Sequence, residues 1–414
     1  MRVAIIGAGI SGLTAAHLLH RDHEITVFEA DERIGGHTHT VPVDTDSGSY
    51  AIDTGFIVFN DTNYPNFERL LSEIGVGWQP SNMSFSVSDE TGDFEYSSTS
   101  PNGLYAKRGH LLDPRFHRMV ADLVRFNREI RPLIGTNGDG PSLAEFLTDG
   151  GYSAQFIERL IVPQASAVWS AAPGQMDSFP AGFMASFFDN HGMLRFTNRP
   201  QWRTVKGGSW SYVRALSAPF TERIHAGSPV RSITRHDDRV ELSTDSSAAL
   251  DFDQVVIAAH SDQALAMLAD PTTAEREILG AIPYQANEAV LHTDRAMLPK
   301  RRRAWASWNF HLLDETPAHT TVTYHMNRLQ ALDSEVDFCV TLNHSEAIDP
   351  AKVIKRIDYS HPVYTAAGMS AQKRHGEISG DRTHYCGAYW GWGFHEDGVL
   401  SAIEACKAFE RTTA

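Results

Sequence analysis

VAIIGAGISGLTAAHLL (residues 3–19), followed at once by ITVFEADERIGGHTHT (25–40), decides how this chain folds. Residues 2–6 contain an apolar run, the pattern of a strand buried on both faces of a parallel sheet. Gly7 begins a tight turn, and Ile10, Leu13, Ala16 and Leu18 then carry apolar side chains at helical spacing over residues 10–20. EITVF (24–28) reads as a second strand that runs into Glu29. Together they make one strand–helix–strand unit of about thirty residues. Gly7-Ala8-Gly9-Ile10-Ser11-Gly12 is a G-x-G-x-x-G between strand and helix, with an acid seventeen positions past Gly12. That is the full context of a dinucleotide-binding fingerprint. Gly7 serves the turn, Gly9 lets backbone approach a pyrophosphate, and Gly12 lets helix and strand pack closely. The helix N-terminus at Ile10 and Ser11 offers N–H groups to the phosphates. Glu29, followed by Ala30, can accept from ribose hydroxyls and would repel a 2′-phosphate.

At 414 residues the chain exceeds one ordinary core, which predicts two lobes. Its 42% hydrophobic and 21% charged residues describe a globular protein. A formal net charge of −15 opposes nucleic-acid phosphates, so no nucleic-acid partner is expected; peripheral membrane contact stays open. The basic run Lys300-Arg301-Arg302-Arg303 reads as a solvated turn. Cys339, Cys386 and Cys406 show no metal-ligand spacing and too low a density for a disulfide framework, which fits a reducing compartment. No secretory leader and no apolar window of membrane-spanning length is evident, so the expectation is a cytoplasmic protein.

Beyond Ala51 the strand–helix alternation stops. Residues 84–98 read as a hairpin, 113–134, 143–149 and 153–169 as helices, and 135–142 as a Gly-rich loop. Alternation returns with strands over 221–245, a buried strand in 252–260 and a helix at 262–269. β-rich stretches fill 285–343, and the chain ends in strand, Gly/aromatic loop and helix. These shifts predict interleaved domains: 1–75, 200–270 and 380–414 for the nucleotide, 76–199 and 271–379 for the substrate.

NAD and FAD share the fingerprint. Arg33-Ile34-Gly35-Gly36-His37 resembles the R-x-G-G segment of the FAD-dependent amine oxidase / phytoene desaturase superfamily. Asp53-Thr54-Gly55-Phe56 resembles its D/E-x-G segment, Gly207-Gly208 its second GG turn, and Val230 the position whose backbone reads the adenine. The closing stretch from Tyr385 to Glu410 resembles the motif that reaches the flavin and starts a helix beneath it. The resemblance covers both ends and the middle of the chain. It implies an α/β fold with α+β insertions, in which a Rossmann-like, glutathione reductase-like FAD domain interleaves with a substrate domain of antiparallel sheet plus helices. It also implies that Arg33 pairs with phosphate, that Gly35, Gly36, His37, Thr54, Gly55 and Phe56 pass the flavin, and that Gly387, Ala388, Asp397, Gly398 and Val399 close over it.

The chain departs from that pattern in places. Cys386 lies within the presumed strand, so FAD is expected to be non-covalent. ANEAVLHT (286–293), the strand expected to present a lysine toward flavin N5, has none, which favours a desaturase or dehydrogenase over an amine oxidase that uses O2. Trp390, Trp392 and Phe394 suggest an apolar floor beside the flavin, and Asn60 and Tyr64 an edge of the substrate cavity. His395 and Glu396 are the candidate acid or base, against the alternative that Glu396 and Asp397 cap the last helix. No metal site, nucleophile elbow or Walker lysine is apparent. The closest resemblance is to bacterial NAD/FAD-binding, amine oxidoreductase-like proteins, which are often encoded near cyclopropane-fatty-acyl synthase-like enzymes. The leading expectation is therefore an FAD-dependent oxidoreductase that passes a hydride from a hydrophobic, acyl-lipid-like substrate to flavin N5. The alternatives are a flavin amine oxidase, a non-redox flavin-dependent isomerase or hydratase, and a flavin-binding protein without catalysis.

Overall fold

The computed structural model describes residues 1–136, 140–314 and 319–413, without the side chains of 412 and 413. The Gly-rich loop expected over 135–142 falls partly outside the described residues.

Arg2–Ile6 lies at the centre of a five-stranded sheet in the order Ile224–His225, Glu24–Phe28, Arg2–Ile6, Gln254–Ile257, Thr383–Tyr385, and every pairing is parallel. Its central place explains why the strand is apolar on both faces. Val3 and Ile5 join the core formed with the helix Ile10–Leu19 and the C-terminal helix His395–Thr413. Ala4 and Ile6 join a second core with the antiparallel meander Val230–Arg235, Val240–Thr244, Leu250–Phe252 and the helices Ser261–Met267 and Thr273–Gly280.

A seven-stranded sheet forms the other half, ordered Val353–Pro362, Tyr284–His292, Cys339–Leu342, Val322–His325, Trp308–Leu312, Phe85–Asp89, Glu95–Ser97. Only the pairing of Trp308–Leu312 with Phe85–Asp89 is parallel. The chain therefore leaves the parallel sheet and returns to it, giving the expected interleaved α/β architecture. Helices Pro114–Glu129, Leu143–Asp149 and Ala181–Asn190 cover this half together with a helix that begins at Ala154. That helix passes through a π turn at Ile157–Ile161 into Val162–Trp169 and stops at Ser170 in the left-handed conformation (φ 50°). Pro163, which has no N–H to donate, sits directly after the π turn.

Lys300, Arg302 and Arg303 of the basic run are exposed, as a solvated turn requires, but the run also has a structural task. Arg301 donates to the buried carboxylate of Glu95 (3.0 Å) and to the Gly92 carbonyl (2.6 Å), and the backbone N–H groups of Lys300 and Arg301 donate to Glu95 as well. Glu95 lies wholly inside the fold. A buried carboxylate must be paired, and the run supplies the pairing.

The two halves are tied by Asp53, which is fully buried. Its carboxylate accepts from Thr40 Oγ1 (2.5 Å), Ser209 Oγ (2.7 Å), Ser209 N (2.9 Å) and Gln330 Nε2 (3.0 Å). Its own N–H donates to Gln330 Oε1 (3.0 Å). Thr40 belongs to the first hairpin, Ser209 follows the Gly207-Gly208 turn, and Gln330 follows the short helix Met326–Leu329 beside the larger sheet. Asp53→Ala would leave these donors unpaired and is expected to lower stability by about 3–5 kcal/mol in denaturant melts. Burial raises the Asp53 pKa from 3.8 to about 6. The folded chain then holds this proton more tightly than the unfolded chain, so the group's contribution to stability grows as pH falls from 6 toward 4 and is lost above 6. Relative to Asp53→Asn, the wild type is expected to gain stability between pH 7 and pH 5; an equal pH response in both proteins would contradict this.

Candidate active site

A cavity of about 1100 Å³ opens at the carboxyl ends of the parallel strands, where open α/β sheets hold their ligands. It exceeds the range of about 300–1,000 Å³ for one small-molecule site, enough for an elongated cofactor and a second molecule. One wall is the phosphate loop and the segments around it; the other is the face of the seven-stranded sheet and the helix end at Val168–Ser170.

The phosphate-loop wall carries Gly7, Gly9, Ile10 and Ser11, then Glu29, Ala30 and Arg33. A Cβ on Gly9 would meet nothing within 4 Å and would project into open space. Gly12 stands off the cavity, where a Cβ would lie 1.8 Å from the Gly7 carbonyl oxygen; its lack of a side chain is what seats the helix on the turn. Glu29 accepts from Ala8 N (2.7 Å) and Asp31 N (3.0 Å), and burial raises its pKa. Arg33 lines the cavity where the sequence places it, and its guanidinium donates to the carbonyls of Ile34 (3.0 Å), Thr38 (2.8 Å) and Gly36 (2.7 Å), bracing the loop.

Gly35, Gly36, His37, Thr54, Gly55, Phe56, Val230, Gly387 and Ala388 also line the cavity, as do Trp392, Phe394 and His395. His395 stacks on Phe56 with ring centroids 3.5 Å apart. Its Nε2 makes hydrogen bonds with Tyr212 OH (2.9 Å) and Thr38 Oγ1 (3.0 Å). Burial and the nearby His37 hold the imidazole neutral. It is a fixed, uncharged wall group.

Besides Gly12, seven expected residues lie off the cavity. Glu396 is a cap and no acid–base group: its carboxylate accepts from Asn66 N (3.1 Å), Asn66 Nδ2 (2.6 Å) and Phe67 N (2.9 Å) at the start of the helix Pro65–Glu73. Asn60 spends its Oδ1 on Thr62 N and Asn63 N in a turn. Tyr64 is packed against Phe59 in the core, and Trp390 stacks on His375. Asp397 accepts from Phe394 N (2.9 Å), and burial pushes its pKa up to about 7. Gly398 lets the last helix sit against the phosphate-loop helix, where a Cβ would lie 2.8 Å from Ile10 Cγ2. Val399 is core. These last three shape the site from behind.

Sequence reasoning missed the second wall. Lys355, Ile357, Tyr359 and His361 come from the edge strand Val353–Pro362, whose period-two alternation was the one available signal. The strand 286–293 has no lysine, but this neighbouring strand places Lys355 on the cavity, with Nζ 3.4 Å from His39 Nε2. Trp169, Trp308, Tyr324, Tyr364 and Tyr389 add aromatic faces. The Nε1 groups of Trp169 and Trp308, the hydroxyls of Tyr364 and Tyr389, and Nε2 of His37 are buried without a partner. Unpaired buried polar groups are costly, so five of them around one cavity mark a place where a ligand supplies the missing bonds. The open cradle at Gly9, the acid at Glu29 and these groups fit a dinucleotide carrying a ring system. Among the described residues no cluster of His, Cys, Asp or Glu is arranged for a metal ion.

Comparisons with known proteins agree with this geometry. Coproporphyrinogen III oxidase of Mycobacterium leprae is 28% identical over 185 residues, 41% of this chain and 37% of that protein. The curated relatives are matched over about a third of their length or less. Cyclohexylamine oxidase from Brevibacterium oxydans superposes with a TM-score of 0.70 at 16% identity, covering 100% of this chain and 99% of that one. A fatty acid isomerase from P. acnes, described as producing CLA, superposes with a TM-score of 0.72 at 18% identity, covering 99% and 98%. Both likenesses establish the fold. The family model of flavin-containing amine oxidoreductases matches residues 10–329, more than three quarters of the sequence, and the chain belongs to that family.

Proposed function

We propose that the chain holds FAD non-covalently and oxidises a small amine by removing a hydride from the carbon beside its nitrogen. This reverses the leading expectation from sequence, which was an acyl-lipid substrate. The observation that carries the reading is the aromatic chamber of Trp169, Trp308, Tyr324, Tyr364 and Phe394, continuous with the phosphate loop and carrying unpaired N–H and O–H groups. Family membership supports it, as does the shared fold with cyclohexylamine oxidase. Cys386 is buried in the core behind the cavity, out of place for a thioether to the flavin. The three free, buried cysteines suit a reducing, cytoplasmic setting.

When bound, the flavin supplies a two-electron acceptor for the hydride. The chain supplies the surroundings. Aromatic faces attract an entering ammonium, and the same dry chamber lowers its pKa so that the neutral amine is presented. The Tyr364 hydroxyl, kept protonated by burial, is free to accept an N–H of the amine and orient the adjacent C–H. The neutral amine gives up a hydride from carbon and leaves as the iminium cation, which passes its nitrogen proton to bulk water after release. Exclusion of water keeps that iminium from hydrolysis within the chamber.

A second reading rests on Ile57, Val58, Val168, Leu342 and Ile357, an apolar stretch of the same wall that an acyl chain would cover, and on the fold shared with the fatty acid isomerase. Anaerobic mixing with a panel of primary and secondary amines and of unsaturated acyl lipids separates the two. Bleaching of the flavin band by amines alone is expected; bleaching by acyl lipids alone would transfer the assignment to the second reading. Tyr364→Phe is expected to lower kcat/KM for the amine about tenfold, the worth of one hydrogen bond, with flavin content unchanged. Gly9→Val is expected to fold with an apo-protein melting temperature within a few degrees of the wild type, because its side chain meets nothing, yet to purify without flavin. Retention of a full complement of flavin by this variant would place the cofactor elsewhere.

A further inference from the structure

Three histidines gather where a dinucleotide's phosphates must run. Gly36 abuts Gly9, and a Cβ there would lie 3.2 Å from Gly9 Cα. His37, the next residue, is thereby held beside the phosphate loop. His260 follows Ala258 and Ala259, whose backbone presses on Gly7. His361 reaches the same spot from the edge strand. The ring of His37 lies 5.2 Å from that of His361, 6.0 Å from that of His260 and 5.0 Å, stacked, from that of Tyr359.

Arg33 donates to three backbone carbonyls and keeps its charge, which is felt at His37. His37 lines the cavity, and its Nε2 is buried without a partner. We propose that His37, His260 and His361 are the anion-binding groups of the dinucleotide site, and that the pyrophosphate enters together with a proton taken up by this cluster. The inference rests on the reading that the cavity holds FAD.

The electrostatic setting accords with it. Burial and mutual repulsion hold His37 and His260 down to about 4 and His361 down to about 3, so the unliganded cluster is neutral at pH 7. The groups facing it are Arg33 from the loop, Tyr359 from the edge strand, Tyr284 stacked on His260, and the neutral His395 from the last helix. Lys355 lies further along the strand, beside His39. A pyrophosphate bearing two negative charges reverses the balance, favouring an imidazolium that donates to it. Binding linked to one proton strengthens up to tenfold for each unit of pH decrease between the free and bound pKa values.

The test is calorimetric titration of FAD into the flavin-stripped protein at pH 6, 7 and 8, in buffers of different ionisation enthalpy. The expected result is uptake of up to one proton per FAD and a Kd that falls about tenfold or less per unit of pH decrease. His37→Arg is expected to bind FAD tightly with a flat pH response, and His37→Gln to bind more weakly with reduced proton uptake. Tight binding by the wild type with no proton uptake and a flat Kd would overturn the role of the histidines and leave the cofactor assignment intact. Absence of FAD binding at all three pH values would overturn the cofactor assignment and the inference with it.

Discussion

Backbone pressed against backbone at the end of the first strand is the constraint on which the rest of this molecule depends. A Cβ at Gly12 would fall 1.8 Å from the Gly7 carbonyl oxygen, one at Gly55 2.1 Å from that of His37, and one at Gly7 2.8 Å from that of Ala258. Four segments distant in sequence therefore pass one another with no side chain between them. The close approach makes the floor of the cavity from peptide groups, and it leaves Gly9 alone facing open space. Everything else at the site is built outward from this knot: the braced loop at Arg33, the D-T-G segment, and the last helix seated through Gly398.

Asp53 turns the knot into a joint between the two halves. A carboxylate this deeply buried is expensive unless its oxygens are satisfied. Thr40, Ser209 and Gln330 satisfy them from three separate parts of the chain. The aromatic chamber lies across this joint, with Phe394 and Trp392 from the last loop on one side and Trp308 and Tyr324 from the larger sheet on the other.

The parallel half was legible in the sequence because its signals are local. The strand, the glycines of the turn and the acid at Glu29 stand within thirty residues, and each has a single physical reading. The interleaving was legible from the return of strand–helix alternation after 221. The second wall was not. Its side chains come from an edge strand, a helix end and a meander whose order, Val353–Pro362 beside Tyr284–His292, runs far from sequence order. Lys355 reaches the cavity from the strand paired with 284–292, since pairing and not proximity in sequence set the neighbours. Glu396 misled for a related reason. It carries a charge in a motif, but the nearest helix N-terminus claimed that charge first. Asn60, Tyr64 and Trp390 misled because an apolar or amide side chain near a motif is as readily core or turn as cavity wall.

The central claim is that this cavity carries FAD held without a covalent bond. The most direct measurement is the visible spectrum of the purified protein before and after heat denaturation, with the released cofactor identified by mass. The account predicts a flavin absorption band that passes entirely into the supernatant as intact FAD. A band that stays with the precipitated protein would contradict non-covalent binding. A colourless protein that takes up no added FAD would contradict the cofactor assignment itself.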